Sequence, residues 1–238
     1  MIFNRNKYIL TPTGQLPNLC LDILKQPHTL IAGATGSGKS VLINNIMYTA
    51  LFSAPSQKQF ILIDPKMTEL SQYKYLPHTI AYADSPEAAI KLLNNALNII
   101  NARNIRAQRQ RQKQCDDPDL YIVIDELGDL IFTDKRATNL LGRIAMIGRS
   151  AKVHLVAATQ CPNRKTLSPE FAANCTAKVG LRCDNKVESR QIINSPIATE
   201  LPQYGYCYYK NPQIREPELV SIPYIPENVI NEIIRYWS

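Results

Sequence analysis

Residues 28 to 40 read HTLIAGATGSGKS, an apolar run that breaks into a glycine-rich turn and closes on a lysine and a serine. The last eight residues fit the pattern G-x-x-x-x-G-K-[ST]. Three of the nine glycines in the chain fall in this octet, so glycine is placed here rather than scattered. Glycine lets successive backbone N–H groups turn inward around an anion, where a Cβ would clash. A helix starting near Lys39 adds its positive N-terminal end to the same point. The octet therefore predicts a phosphate loop that binds ATP through Gly33, Ala34, Thr35, Gly36, Ser37, Gly38, Lys39, Ser40 and the following Val41. Lys39 is expected on the β- and γ-phosphates, and the Ser40 hydroxyl on Mg²⁺.

Working outward, strand-like and helix-like stretches alternate. Strands are expected at 28 to 33, 59 to 64, 120 to 125, 152 to 159, 176 to 183 and 205 to 210. The first four are nearly continuous apolar runs, as central parallel strands covered on both faces require. Between them, Ser85-Pro86-Glu87 opens an amphipathic helix: an N-cap serine, a proline at the first position and an acid in the first turn. Its apolar stripe is Ala89, Leu92, Leu93, Ala96, Leu97 and Ile100. This alternation predicts an α/β fold with a mostly parallel central sheet flanked by helices. Nothing in the sequence marks a linker, so residues 1 to 238 read as one domain with a lead-in to residue 26. From Asn211 the chain is punctuated by prolines and reads as a packed tail ending in a short helix near 230 to 237.

A second run, YIVIDEL at 121 to 127, ends a buried strand in two acids. The carboxyl edge of a parallel sheet is where ligands bind, so this strand brings a carboxylate beside the phosphate loop. Asp125 is the expected Mg²⁺ ligand, and Glu126 the group that orients or deprotonates the attacking water. Paired acids after a strand can also be a solvated loop; the phosphate loop favours the catalytic assignment. Gln160, closing the run KVHLVAATQ, is placed to sense a γ-phosphate, although glutamines often end strands.

No apolar run approaches the length of about 18 residues that spans a membrane, and the start MIFNRNKYIL is too polar for a signal peptide. A cytoplasmic, soluble protein is expected. The six cysteines, Cys20, Cys115, Cys161, Cys175, Cys183 and Cys207, include no C-x-x-C pair and read as small buried hydrophobes. The net charge is +7, and the acid-free stretch 101 to 114 alone holds Arg103, Arg106, Arg109, Arg111 and Lys113. At about 100° per residue, all but Arg111 share one helix face. That face is a solvated helix end, a DNA phosphate contact or a surface for a neighbouring subunit.

The blocks PHTLIAGATGSGKSVLIN, FILIDPKMTELSQYKYLPH, YIVIDELGDLI and GRSAKVHLVAATQCP resemble, in this order, the motor domain of the FtsK/SpoIIIE family of DNA translocases. A fifth and weaker block is CDNKVESRQIINSPIATELPQYGYCYY. The resemblance implies a RecA-like core of the P-loop NTPase type. It also implies a homo-oligomeric ring, usually hexameric, that moves double-stranded DNA by ATP hydrolysis, with the nucleotide between subunits. Arg149 matches the family's arginine finger, its plainer role being a cation at a helix C-terminus. Lys186 and Arg190 match a DNA-touching pore loop, or are an exposed helix face. Where the family has ATQRP this chain has Cys161 in place of the arginine, and Arg164 and Lys165 follow as possible substitutes at the DNA. The family's membrane region and winged-helix module are not legible in these residues, so a motor domain from a plasmid, phage or integrative element is expected. Two other classes stay open: an FtsK-like secretion ATPase that moves polypeptides, and a conjugative or single-strand coupling motor.

Overall fold

The computed structural model describes residues 16 to 52, 55 to 160, 162 and 167 to 238. Most of the expected lead-in, together with Cys161, Arg164 and Lys165, lies outside the described residues. The strands are β1 (His28–Ala32), β2 (Lys58–Ile63), β3 (Thr79–Ala83), β4 (Asp119–Ile124), β5 (Val153–Thr159), β6 (Ala177–Gly180), β7 (Tyr206–Lys210) and β8 (Glu218–Ser221). They form one sheet in the order β3-β2-β4-β5-β1-β6-β7-β8. Pairing is parallel from β3 through β6, and antiparallel where β7 meets β6 and β8.

The helices are α1 (Leu16–Lys25), α2 (Lys39–Phe52), α3 (Pro86–Arg109), α4 (Leu127–Thr133), α5 (Arg136–Ile147), α6 (Pro169–Asn174), α7 (Lys186–Ile193) and α8 (Glu227–Trp237). They divide between the two faces of the sheet. Side chains alternate along a strand, so Leu30, Ile61, Ile63, Leu120, Ile122 and Leu155 pack with α3, α4 and α5. Their neighbours Ile31, Phe60, Leu62, Tyr121, Val123 and Val156 pack with α1, α2 and α8. The near-continuous apolar runs are explained by this double coverage.

Two strands escaped the sequence reading. TIAYA (β3) is an edge strand whose alanines and partial exposure weaken its signal. ELVS (β8) forms the other edge, inside the segment read as a tail, and the flanking prolines conceal it. The expected N-cap is present: Ser85 Oγ accepts from Ala88 N–H at 3.3 Å.

The basic face of α3 is not a uniform DNA-facing stripe. Arg103 is only 5% exposed, and its Nη1 donates to the carbonyls of Pro118 and Ala151, each at 2.9 Å. Arg106 pairs with Asp117 at 2.7 Å. The fold brings that acid in from outside the acid-free stretch, which helical spacing cannot register. Arg109, Arg111 and Lys113 remain exposed. Arg103→Ala is expected to lower stability by about 2–3 kcal/mol, because it strips buried carbonyls of their donor. Arg109→Ala should change stability by less than about 0.5 kcal/mol. Chemical denaturation midpoints check the pair, and equal effects would contradict a structural role for Arg103.

Candidate nucleotide site

β1, β4, β5 and β2 all end at one edge of the sheet, which gathers Gly33, Asp125, Gln160 and Asp64. At the loop itself, Gly36 and Gly38 take φ of +71° and +95°, which side-chain-bearing residues adopt only with strain. A Cβ on Gly33 would lie 2.5 Å from Leu181 Cβ and 2.6 Å from Ser37 Oγ. The loop is therefore pressed against the end of β6, and Ala34 N–H donates to the Arg182 carbonyl at 2.8 Å. α2 begins at Lys39, with its amino end toward the loop as expected. Lys39 is buried, and its Nζ donates to the carbonyls of Gly33 at 2.6 Å and Ala34 at 3.1 Å. Ser37 Oγ is buried without a hydrogen-bond partner in the structure, a polar atom turned into the loop with acceptor and donor capacity to spare.

The two acids sit differently. Glu126 is the N-cap of α4, and its Oε1 accepts from Gly128 N–H at 3.1 Å and Thr159 Oγ–H at 2.9 Å. Its Oε2 accepts from Gln160 N–H at 3.0 Å, leaving capacity for a water. Gln160 also links to the phosphate loop, because its Oε1 accepts from Thr35 Oγ–H at 2.8 Å. A continuous chain of contacts thus runs from the loop through Gln160 to the carboxylate of Glu126.

Asp125 carries no such set of donors. Burial, then the negative charges of Asp64, Glu69 and Glu126, push its carboxyl up to about 7, partly opposed by Lys39. An acid held in this way is short of positive charge, and a divalent cation beside it would supply that charge. No group of three or more His, Cys, Asp or Glu side chains that could hold a metal occurs among the described residues.

Asp64 was missed by the sequence reading as a site residue. It ends β2 fully buried, and its carboxylate accepts from the N–H groups of Glu69 at 3.1 Å and Leu70 at 2.9 Å, with Thr68 farther at 3.3 Å. It shapes the following turn and adds negative charge beside Asp125. The signal was present: ILID at 61 to 64 repeats the pattern of IVID at 122 to 125. Lys66 pairs with Asp129 at 2.6 Å, a half-exposed ion pair at the margin of the acids.

Arg149 is not in this cluster. It lies in the turn Arg149–Ala151 that leads into the start of β5, whereas Gln160 follows its end. Seven residues at about 3.3 Å each separate the two edges. Its side chain is exposed. Lys186 and Arg190 stand one turn apart and exposed on α7, which Asn185 caps by accepting from Val187 and Glu188 N–H at 3.0 Å.

Residues 5–113 match the FtsK/SpoIIIE family model. The chain is 30% identical to the DNA translocase FtsK 1 of Neisseria meningitidis serogroup B over 90% of its own length, spanning 31% of that relative. Among solved structures, the fold resembles the cytoplasmic domain of the Thermomonospora curvata Type VII secretion ATPase EccC, with a TM-score of 0.74 and 25% identity. That match covers 89% of this chain and 28% of EccC. The pCW3 conjugation coupling protein TcpA, solved with ATPγS, shares the fold at a TM-score of 0.78 and 21% identity, over 90% of this chain and 66% of TcpA. Among the described residues, no helix is long and apolar enough to cross a membrane.

Proposed function

We propose that this domain hydrolyses ATP with Mg²⁺ and uses the energy to move double-stranded DNA through a ring of its own copies. The observation that carries the catalytic half is the hydrogen-bonded chain from Thr35 through Gln160 to Glu126. It ties the loop that would hold the phosphates to the group that would activate water. Lys39 and the glycine amides bind phosphate, and Ser40 and Asp125 hold Mg²⁺, which when bound supplies charge to the phosphoryl oxygens. Glu126 takes the proton of the attacking water through Oε2.

DNA as cargo rests on the 30% identity to the Neisseria DNA translocase. Assembly rests on the place of Arg149. An exposed cation at the far edge of the sheet can serve a phosphate only in a neighbouring copy, as an arginine finger in trans. Lys186 and Arg190, with Arg164 and Lys165, are the proposed DNA contacts. A secretion ATPase that moves polypeptides is the second reading, favoured by the fold likeness to EccC.

The test is ATP hydrolysis with linear duplex DNA, single-stranded DNA or no nucleic acid. Duplex is expected to stimulate turnover at least about fivefold, and the stimulation should fade steeply between 50 and 200 mM salt, since phosphate contacts release counterions. Turnover indifferent to duplex would sink DNA as the substrate.

A further inference from the structure

Within the acid-free stretch 101 to 114, α3 ends in a way that turns the chain toward Arg149. Gln112 N–H donates to the Ala107 carbonyl at 2.8 Å, and Arg111 N–H to the Gln108 carbonyl at 3.1 Å. Arg111 takes φ of +56°, the left-handed residue that this kind of helix ending needs. The reversal lays Gln114 and Cys115 beside the turn Arg149–Ala151.

Three consecutive carbonyls of that turn are then taken by donors from α3 and the residues after it. Gln114 Nε2 donates to the Arg149 carbonyl at 3.3 Å, Cys115 N–H to that of Ser150 at 3.2 Å, and Arg103 Nη1 to that of Ala151 at 2.9 Å. Ser150 Oγ adds a fourth tie by donating to Asn104 Oδ1 at 2.9 Å. The turn closes on Lys152, whose φ of +51° is a strained backbone for a residue with a side chain. Such a backbone keeps its shape because its neighbours hold it. The Arg149 side chain is exposed, so a fixed main chain carries an available guanidinium.

These ties differ in what they do for the fold. Arg103 is buried and supports it. Gln114 and Ser150 are exposed, where the loss of a side-chain hydrogen bond changes stability little. Their effect is on the place of Arg149. A group that meets a transferring phosphate must be held closely, since a shift of about 1 Å can cost roughly 10²-fold in rate.

We infer that the end of α3 is the mount of Arg149, in which Gln114 and the Ser150–Asn104 pair are positioning residues that set where its guanidinium meets the phosphate in a neighbouring copy. The inference rests on the reading of Arg149 as a finger in trans. It assigns Gln114, inside the basic stretch, to the contact between copies rather than to DNA.

The test is steady-state ATP hydrolysis by the full chain, at a concentration where sedimentation shows assembly. Gln114→Met keeps the length of the side chain and removes the donor; Ser150→Ala removes the tie to Asn104. Each is expected to lower kcat about threefold and the two together about tenfold. KM should change by less than about twofold, because a finger acts on the transition state and not on bound ATP. Gln114→Lys, which keeps a donor on a long side chain, should stay within about twofold of the wild type. Added to Arg149→Ala, the double variant should cost nothing more, since the ties act through that side chain. A wild-type kcat in the double variant overturns the mount. So do losses that multiply in the Arg149→Ala background, a Gln114→Lys as slow as Gln114→Met, or a loss that sedimentation traces to broken assembly. An unchanged kcat in Arg149→Ala, or full hydrolysis by the unassembled chain, is a different failure: the finger reading falls, and the mount with it.

Discussion

Glu126→Gln is expected to bind ATP as tightly as the wild-type protein and to turn it over about 10² to 10⁴ times more slowly. The environment of the side chain explains why the two properties separate. Oε1 accepts the Gly128 N–H and the Thr159 hydroxyl, and an amide oxygen in its place keeps both bonds. Oε2 accepts only from Gln160 N–H, and it is the atom with capacity left for a water. Putting an NH₂ there removes a base and leaves the N-cap of α4 in place. The phosphate loop lies on a different strand and keeps its own contacts. Equilibrium binding of a fluorescent ATP analogue, measured beside steady-state phosphate release, checks both halves. Hydrolysis at the wild-type rate would remove Glu126 from the mechanism.

Asp125→Asn should act in opposite directions on activity and on stability. Loss of the carboxylate proposed to hold Mg²⁺ is expected to lower hydrolysis about a thousandfold, since a bound metal would contribute several kcal/mol of charge stabilisation. The metal-free protein should nonetheless become more stable at pH 8. The Asp125 carboxyl is pushed up to about 7 by burial and by Asp64, Glu69 and Glu126. A folded value raised above the unfolded one means that the folded state binds the proton more tightly. The corresponding stability is complete below about pH 4 and is lost as pH rises through about 7. The side chain is partly open to solvent, so the loss at pH 8 comes to about 1–2 kcal/mol after screening. Asparagine removes that dependence. Urea denaturation with chelator at pH 5 and pH 8 should therefore give a smaller pH difference for the variant than for the wild type. A pH difference of the same size in both would place the repulsion elsewhere.

Much of the site was legible because short-range order in the chain has direct chemical meaning. GATGSGKS states a loop, a lysine and a helix start in consecutive residues, and IVIDE states a strand end with two acids. ILID states the same for Asp64, without the second acid that follows IVID. What could not be read were contacts across the sheet. The order β3-β2-β4-β5-β1-β6-β7-β8 brings Thr35 to Gln160, residues 125 positions apart, and no local pattern encodes that pairing. The basic stretch failed for the same reason. Periodicity placed Arg103 and Arg106 on one face of α3, but the carbonyls of Pro118 and Ala151 and the carboxylate of Asp117 come from elsewhere in the fold.

The sequence by itself therefore determined the α/β class, the glycine turn before α2 and the identity of the acids at the strand ends, since each depends on residues that are neighbours in the chain. Only the tertiary structure decided which acid meets hydrogen-bond donors and which lies among other carboxylates, because partner donors and neighbouring charges arise when distant strands end at one edge. It also decided that Arg149 lies at the opposite edge from the loop. A strand of fixed rise keeps its two ends apart, whatever the sequence places at either one.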